Sequence, residues 1–205
     1  MTLLIAAAFL AQQGASYFPM SPGNEWEYKV RFGNGLFEIS QIHRCGAPLI
    51  VSGVTVLPME VILDGKSQST TYYKEDAGYF WIAGSKEIGL FLAPQKMLPV
   101  NPKVGDKWEF RGDSNVMGRM VPTVIKSKIS KKEKVNVSGK EEDALRVTTE
   151  TVFGSDKSTA KINSSDLYVA GIGMVYSRQE LDESKQKSVA LFTLVKYKVS
   201  ANLKL

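Results

Sequence analysis

A short phrase occurs twice in this chain. It reads Pro22-Gly23-Asn24-Glu25-Trp26-Glu27-Tyr28 and then Val104-Gly105-Asp106-Lys107-Trp108-Glu109-Phe110, the two tryptophans standing 82 positions apart. Prolines approach each copy (Pro19 and Pro22; Pro99 and Pro102). Proline followed by Gly-Asn or Gly-Asp is turn chemistry, and Trp-Glu-aromatic is the alternating opening of a strand with one buried face. The phrase therefore predicts a tight turn and a tryptophan-anchored strand, made twice. This constrains architecture and carries no catalytic signature.

Between these anchors the chain reads as strand after strand. Trp26, Tyr28, Val30 and Phe32 alternate with Glu27, Lys29 and Arg31, a period of two. Asn34-Gly35 follows, the strongest short hairpin signal. A two-residue turn there would set Phe32 opposite Phe37, Val30 opposite Ile39 and Trp26 opposite His43. Leu49 to Leu63 reads as one long strand, bulged or bent at Gly53 and Pro58. Turns are expected at Asp64-Gly65, Asp76-Ala77-Gly78, Ser138-Gly139-Lys140, Gly154-Ser155-Asp156 and 182–187. The strands expected between them are 69–75, 79–83, 88–92, 121–129, 133–137, 144–153, 159–169, 174–181 and 188–199. Pro122 marks its strand as an edge, and Glu141 to Arg146 has room for one helical turn. Short strands with turn signals at such spacing predict an all-β fold. We expect a curved antiparallel sheet, as a half-barrel or an open barrel or sandwich, with two Trp-anchored halves.

The N-terminus stands apart. Leu3 to Ala11 is apolar without interruption, and Gln12-Gln13-Gly14-Ala15-Ser16 follows. Nine residues cannot span a bilayer, which needs about 20, but they suit the apolar stretch of an export signal. Residues 1–16 are thus expected to be a signal peptide cleaved near Ala15 or Ser16. Residues 17–205 form one β-rich domain, divisible into lobes 17–97 and 98–205. The location implied is periplasmic, cell-envelope or extracellular. Cys45 is the sole cysteine, so no intramolecular disulfide can form, and no cysteine follows the apolar run to carry a lipid. No other stretch is long enough to cross a membrane. Net charge is +5, well short of the dense basic clusters of a nucleic-acid binder.

Motifs for chemistry are sparse. His43 and Cys45 would share a strand face, but a metal site needs three or four ligands and no other His or Cys exists. Gly-x-Ser-x-Gly is absent, and the Ser-x-x-Lys matches at Ser158–Lys161 and Ser184–Lys187 fall at a strand start and in a polar turn rather than on a helix. Gly171-Ile172-Gly173 lacks what a phosphate loop requires and reads as a turn or a close backbone approach. No metal and no cofactor is expected. Lys126, Lys128, Lys131, Lys132, Lys134 and Lys140 crowd one segment, either as a solvated hairpin resistant to edge pairing or as a surface for anionic partners. Tyr72, Tyr73, Tyr79, Phe80 and Trp81 form the densest aromatic group. Of these Tyr72, Tyr73, Tyr79 and Trp81 are candidate ligand-binding residues, with at least half of the group expected in the core. Asn136 and Asn163 open glycosylation sequons, which matter only in a eukaryotic secretory pathway.

Three places carry a resemblance. They are Tyr17-Phe18-Pro19 with Gly23-Asn24-x-Trp26-x-Tyr28, Leu98-Pro99 with Val104-Gly105-Asp106-x-Trp108, and Tyr168-Val169-Ala170-Gly171-Ile172-Gly173-Met174-Val175 with the closing Leu194 to Val199. On these residues the chain resembles a family of functionally unassigned bacterial exported or envelope β-proteins. The family's usual Pro-Ala-Gly-x-Phe turn is replaced by Ser138-Gly139-Lys140-Glu141-Glu142-Asp143. More remotely, a curved envelope sheet is similar to the LolA-like half-barrels that hold lipids. The resemblance transfers no catalytic residue. It implies an exported, non-enzymatic protein that holds an apolar small molecule on a curved sheet. The alternatives are an envelope structural or protein-interaction module, and, least favoured, a hydrolase with scattered carboxylates.

Overall fold

The computed structural model describes residues 15–116, 119–155, 158–183 and 186–200. The expected export signal therefore lies, but for its last two residues, outside the described residues. The strands are β1 (Glu25–Phe32), β2 (Phe37–Cys45), β3 (Leu49–Val51), β4 (Val54–Leu63), β5 (Lys66–Asp76), β6 (Tyr79–Ser85) and β7 (Gly89–Pro99). They continue as β8 (Lys107–Val116), β9 (Arg119–Val137), β10 (Lys140–Ser155), β11 (Ser158–Val169), β12 (Gly173–Glu183) and β13 (Gln186–Lys198). All but β3 form one antiparallel sheet in the order β7-β6-β5-β4-β2-β1-β13-β12-β11-β10-β9-β8, and β3 pairs with β4 alone.

The sheet curls into a nearly closed barrel. Its two end strands, β7 and β8, meet through side chains, Gln95 Nε2 donating to Ser114 Oγ at 2.7 Å. The largest buried cluster draws on both ends of the sheet. Leu98 of β7 and Trp108, Ile129 and Leu145 of β8 to β10 belong to the same buried cluster as Trp26, Tyr28 and Val30 of β1. The strands of residues 17–97 fill one side of the sheet and those of 98–205 the other, and the β1–β13 ladder joins them.

Both copies of the repeated phrase build the same hydrogen-bond frame. Gly23 N–H donates to Cys45 O at 2.9 Å, Asn24 N–H to Ser21 O at 3.0 Å, and Cys45 N–H to Asn24 O at 2.9 Å. Gly105 N–H donates to Ile129 O at 2.9 Å, Asp106 N–H to Lys103 O at 3.1 Å, and Ile129 N–H to Asp106 O at 2.9 Å. Gly23 and Gly105 take φ of 81° and 99°, a region glycine enters without a Cβ penalty. Each frame ties the opening of a Trp strand to the next strand in sequence, β2 in one case and β9 in the other.

The β1–β2 register is the expected one, with Trp26 opposite His43, Val30 opposite Ile39 and Phe32 opposite Phe37. The turn itself differs. Gly33–Gly35 is a 3-10 turn closed by Leu36 N–H to Gly33 O, so four residues reverse the chain where two were expected. The expected long strand 49–63 is a hairpin instead, because Ser52 and Gly53 both take positive φ and turn β3 onto β4. The segments 121–129 and 133–137 are one strand, β9, with an irregularity opposite Arg146/Val147 that leaves Ser130 unpaired. Glu141 to Arg146 is strand, not helix, since it pairs with β9 throughout. Strand β9 is interior, but β10 pairs with it only as far as Thr123. Pro122, with no N–H to give, thus sits where β9 has β8 as its one neighbour.

Four hairpins turn on a residue–Gly pair with positive φ at both positions: Ser52-Gly53, Asp64-Gly65, Ala77-Gly78 and Ser138-Gly139. This is the type I′ geometry that matches strand twist. Ala77 is the misfit, since alanine in the left-handed region at φ 49° carries about 1–2 kcal/mol of Cβ strain. Ala77→Asn is expected to raise stability by about 0.5–1 kcal/mol, read as a higher melting temperature. An unchanged or lower value would contradict the strain.

Candidate functional site

Directly opposed residues in a ladder share a face, so the inner wall can be followed strand by strand. On β1 it runs Trp26, Tyr28, Val30 and Phe32. The first three are buried, at 4%, 3% and 0% exposed, whereas Phe32 is 38% exposed and its partner Phe37 68%. The row through Phe32 continues across the barrel as Ala190, Gln179, Ser164, Thr149, Ser127 and Trp108. The next row toward the same rim holds Phe110, Ile125, Thr151, Ile162 and Leu181. Of these Phe110 is buried and the other four are only partly covered. Phe153, one step further on β10, is also partly covered. The core thus fills one half of the inner wall, and toward the other rim the inward-facing apolar side chains are only partly covered.

A polar belt lies between the core and this partly covered rim. Ser177 is fully buried opposite Asp166. Ser164 Oγ donates to Asp166 Oδ2 at 3.1 Å, and Ser127 and Thr149 share a hydrogen bond of 2.9 Å. Asp166 Oδ1 is shielded and has no hydrogen-bond partner in the protein. Burial, partly offset by bonds from Ser177 and Ser164, pushes the Asp166 carboxyl up to about 6. A carboxyl so placed favours its neutral form. In sequence it is one residue of the expected strand 159–169, and only the register reveals that it faces inward.

The tryptophans that open β1 and β8 are both buried, at 4% and 7% exposed, but are bonded differently. Trp26 Nε1 donates to Ile172 O at 2.5 Å. Gly173 follows at a φ of 97°, a backbone conformation that favours glycine, and a Cβ there would lie in ordinary contact range of Trp26 and Pro19. Gly171, at φ 77°, donates its N–H to Ser16 O at 2.7 Å, pinning the incoming chain. Trp108 Nε1 is buried without a protein acceptor. Asn24 is fully buried. Its Nδ2 donates to Pro19 O at 2.7 Å and its Oδ1 accepts from Ser200 N–H at 2.9 Å, which joins both ends of the domain. Asp106 instead caps its own turn, accepting from Lys103 N–H at 2.8 Å.

The candidate aromatic residues are placed apart. Tyr72 is buried with Val56 and Ala83 beneath β3. Tyr73 packs on Phe18 at 5.2 Å in the main core, where burial pushes its phenol up to about 12. Tyr79 and Trp81 meet edge to face at 6.3 Å, with Lys96 Nζ 4.6 Å and 5.5 Å from their ring centres. Tyr72 and Tyr73 thus belong to different clusters, and none of the four lines either of the two grooves described below.

His43 packs against Tyr28 at 4.9 Å, and its Nε2 lies 2.6 Å from the Gln41 amide nitrogen. Burial lowers its pKa to about 4. Cys45 is 2% exposed, its thiol donates to Met20 Sδ at 3.4 Å, and burial pushes it up to about 12, the environment of an inert structural thiol. Among the described residues there is no cluster of three or more metal-ligating side chains. Lys161 pairs with Glu150 at 2.5 Å, and Ser184 lies outside the described residues.

Two grooves mark the outer face. The larger, about 760 Å³, crosses β8 to β11 between the rows Lys107–Lys128–Thr148 and Glu109–Lys126–Glu150–Asn163. The other, about 400 Å³, lies beside Arg146, Ser165, Leu167, Tyr176 and Arg178. Neither is an enclosed apolar cavity. The lysine-rich segment divides. Lys131 pairs with Glu133 at 2.8 Å, and Lys132 and Lys134 pair with Asp143 at 2.7 Å and 3.0 Å. Lys126 and Lys128 join Lys107 in the larger groove.

No protein-family model matches this chain, and no curated protein matches it in sequence. Its fold has counterparts among solved structures. A protein from Bacteroides fragilis, described as exported and with a YmcC-like fold, superposes with a TM-score of 0.54 at 15% identity, over 90% of this chain and 99% of its own. A protein from Parabacteroides distasonis, described as a lipoprotein, superposes with a TM-score of 0.57 at 14% identity, over 91% and 100%. Against YmcC of Escherichia coli, described as a lipoprotein, the score is 0.41 at 13% identity over 86% and 88%, too loose to carry structural weight. At such identities the likeness is one of fold. Among the described residues no helix is long and apolar enough to cross a membrane.

Proposed function

We propose that this chain is an exported, non-enzymatic binding protein that holds an apolar, lipid-like small molecule in the trough of its inner wall. The observation that carries this reading is the change along one wall, from buried Val30 to exposed Phe32 and Phe37. Apolar side chains presented inward but left uncovered are the floor of a ligand site rather than of a core. Three further observations support it. The apolar run 3–11 has the form of an export signal, and the two fold neighbours that superpose well are described as exported and as a lipoprotein. The lone histidine is buried, neutral and packed on Tyr28, which disfavours general-base chemistry.

The reading is tested with an environment-sensitive apolar dye and its displacement by a monoacylglycerol. Phe32→Asp with Phe37→Asp places two charges on the trough floor. It is expected to weaken dye binding at least about tenfold while leaving the melting temperature within a few degrees, since both side chains are already exposed. Unchanged dye binding in that variant would remove the trough from consideration and favour a scaffold or interaction module.

A further inference from the structure

We infer that the larger outer groove is a second binding site, for an acidic polysaccharide, independent of the inner trough. Lys107 and Lys128 stand directly opposite each other in the β8–β9 ladder. Like charges so placed repel, and no carboxylate lies between them in that row, whose next member is Thr148. In the adjacent row Lys126 lies between Glu109 and Glu150. Those carboxylates already have cations of their own, since Glu109 pairs with Arg111 and Glu150 with Lys161. The groove's own lining therefore sets three cations, Lys107, Lys126 and Lys128, against two carboxylates that are already paired. Anionic groups bound along it would relieve the repulsion and complete the charge balance.

The other lining groups select among polyanions. Glu109, Glu150 and Asn163 are acceptors that sugar hydroxyls can donate to, whereas a phosphodiester backbone or a lipid phosphate offers them no donor. Trp108 is the one aromatic residue among those lining the groove, and it is 7% exposed on the inward-facing row with Ser127, so it offers nucleobases little to stack on. The groove crosses four strands, a span of about 14 Å, enough for several sugar residues in an extended chain. Carboxylates spaced along such a chain would lie against Lys107, Lys128 and Lys126, with its hydroxyls on the glutamates and Asn163.

The probe is an oligogalacturonate, titrated at low ionic strength into the purified full chain, with neutral dextran, single-stranded DNA and anionic phospholipid vesicles as comparators. Oligogalacturonate is expected to bind and dextran not to. The variant Lys107→Gln with Lys126→Gln and Lys128→Gln should lose at least about tenfold in affinity with an unchanged melting curve. The variant Lys131→Gln with Lys132→Gln and Lys134→Gln removes equal charge from lysines that are already paired and should lose less than about twofold. Equal losses in the two variants, no loss in the first, or DNA or vesicles bound as tightly as oligogalacturonate would each overturn the assignment. Dye binding in the inner trough is expected to be the same in both variants, so failure here and failure of the trough reading are separable.

Discussion

Trp26→Ala and Trp108→Ala are each expected to cost about 3–5 kcal/mol in unfolding free energy. Both indoles are buried where the two halves meet in a common core, and each is followed by a second buried aromatic, Tyr28 or Phe110. Replacement by phenylalanine separates the two sites. Trp26→Phe removes the donor to Ile172 O and leaves a buried carbonyl unpaired. Trp108→Phe removes an N–H that has no protein acceptor. Trp26→Phe should therefore be the more destabilising, by about 1–3 kcal/mol, in urea unfolding at neutral pH. Equal costs for the two phenylalanine variants would mean that the Trp26–Ile172 bond contributes nothing net.

The second large effect is in pH dependence. Burial holds folded His43 neutral down to about pH 4, against 6.5 when unfolded. As pH falls through that window the unfolded chain binds a proton that the folded chain refuses, so stability is lost. Asp166 has the opposite sign. Its folded carboxyl takes a proton near pH 6, whereas the unfolded one waits until about 3.8, so acidification through that window favours the folded state. Each contribution is of order 3 kcal/mol, and in the native protein they largely cancel. His43→Gln should therefore gain about 3 kcal/mol relative to native as pH is lowered from 7 to 4, and Asp166→Asn should lose about as much. Denaturant midpoints at the two ends of the range decide it. If both variants kept the native slope, neither group would be shielded as the fold implies.

The fold was largely legible in sequence because its signals are local. Alternation along Trp26 to Phe32 and Gly at turn positions specify strands and reversals without tertiary knowledge. What local signals missed came from turn chemistry and from edges. Ser52-Gly53 makes a complete turn where a bend was expected. Strand β7 runs on to Pro99 because it ends the sheet order, where proline's missing N–H costs no ladder bond. The candidate sites were less legible. Phe32 and Phe37 read only as an apolar pair across the hairpin, since alternation gives the face but not whether anything covers it. Lys126 and Lys128 read as part of a stripe, but their partner in the groove, Lys107, comes from another strand through the β8–β9 register. Asp166 faces inward only by virtue of pairings with β10 and β12.

The most direct test of the central claim is native mass spectrometry of the protein purified from its own cell envelope, before and after extraction with organic solvent. A folded species heavier than the processed chain by a discrete apolar molecule is expected. Solvent should release that molecule, and Phe32→Asp with Phe37→Asp should abolish its retention. A species at the bare chain mass before extraction, together with a wild-type protein that binds neither dye nor monoacylglycerol, would contradict it.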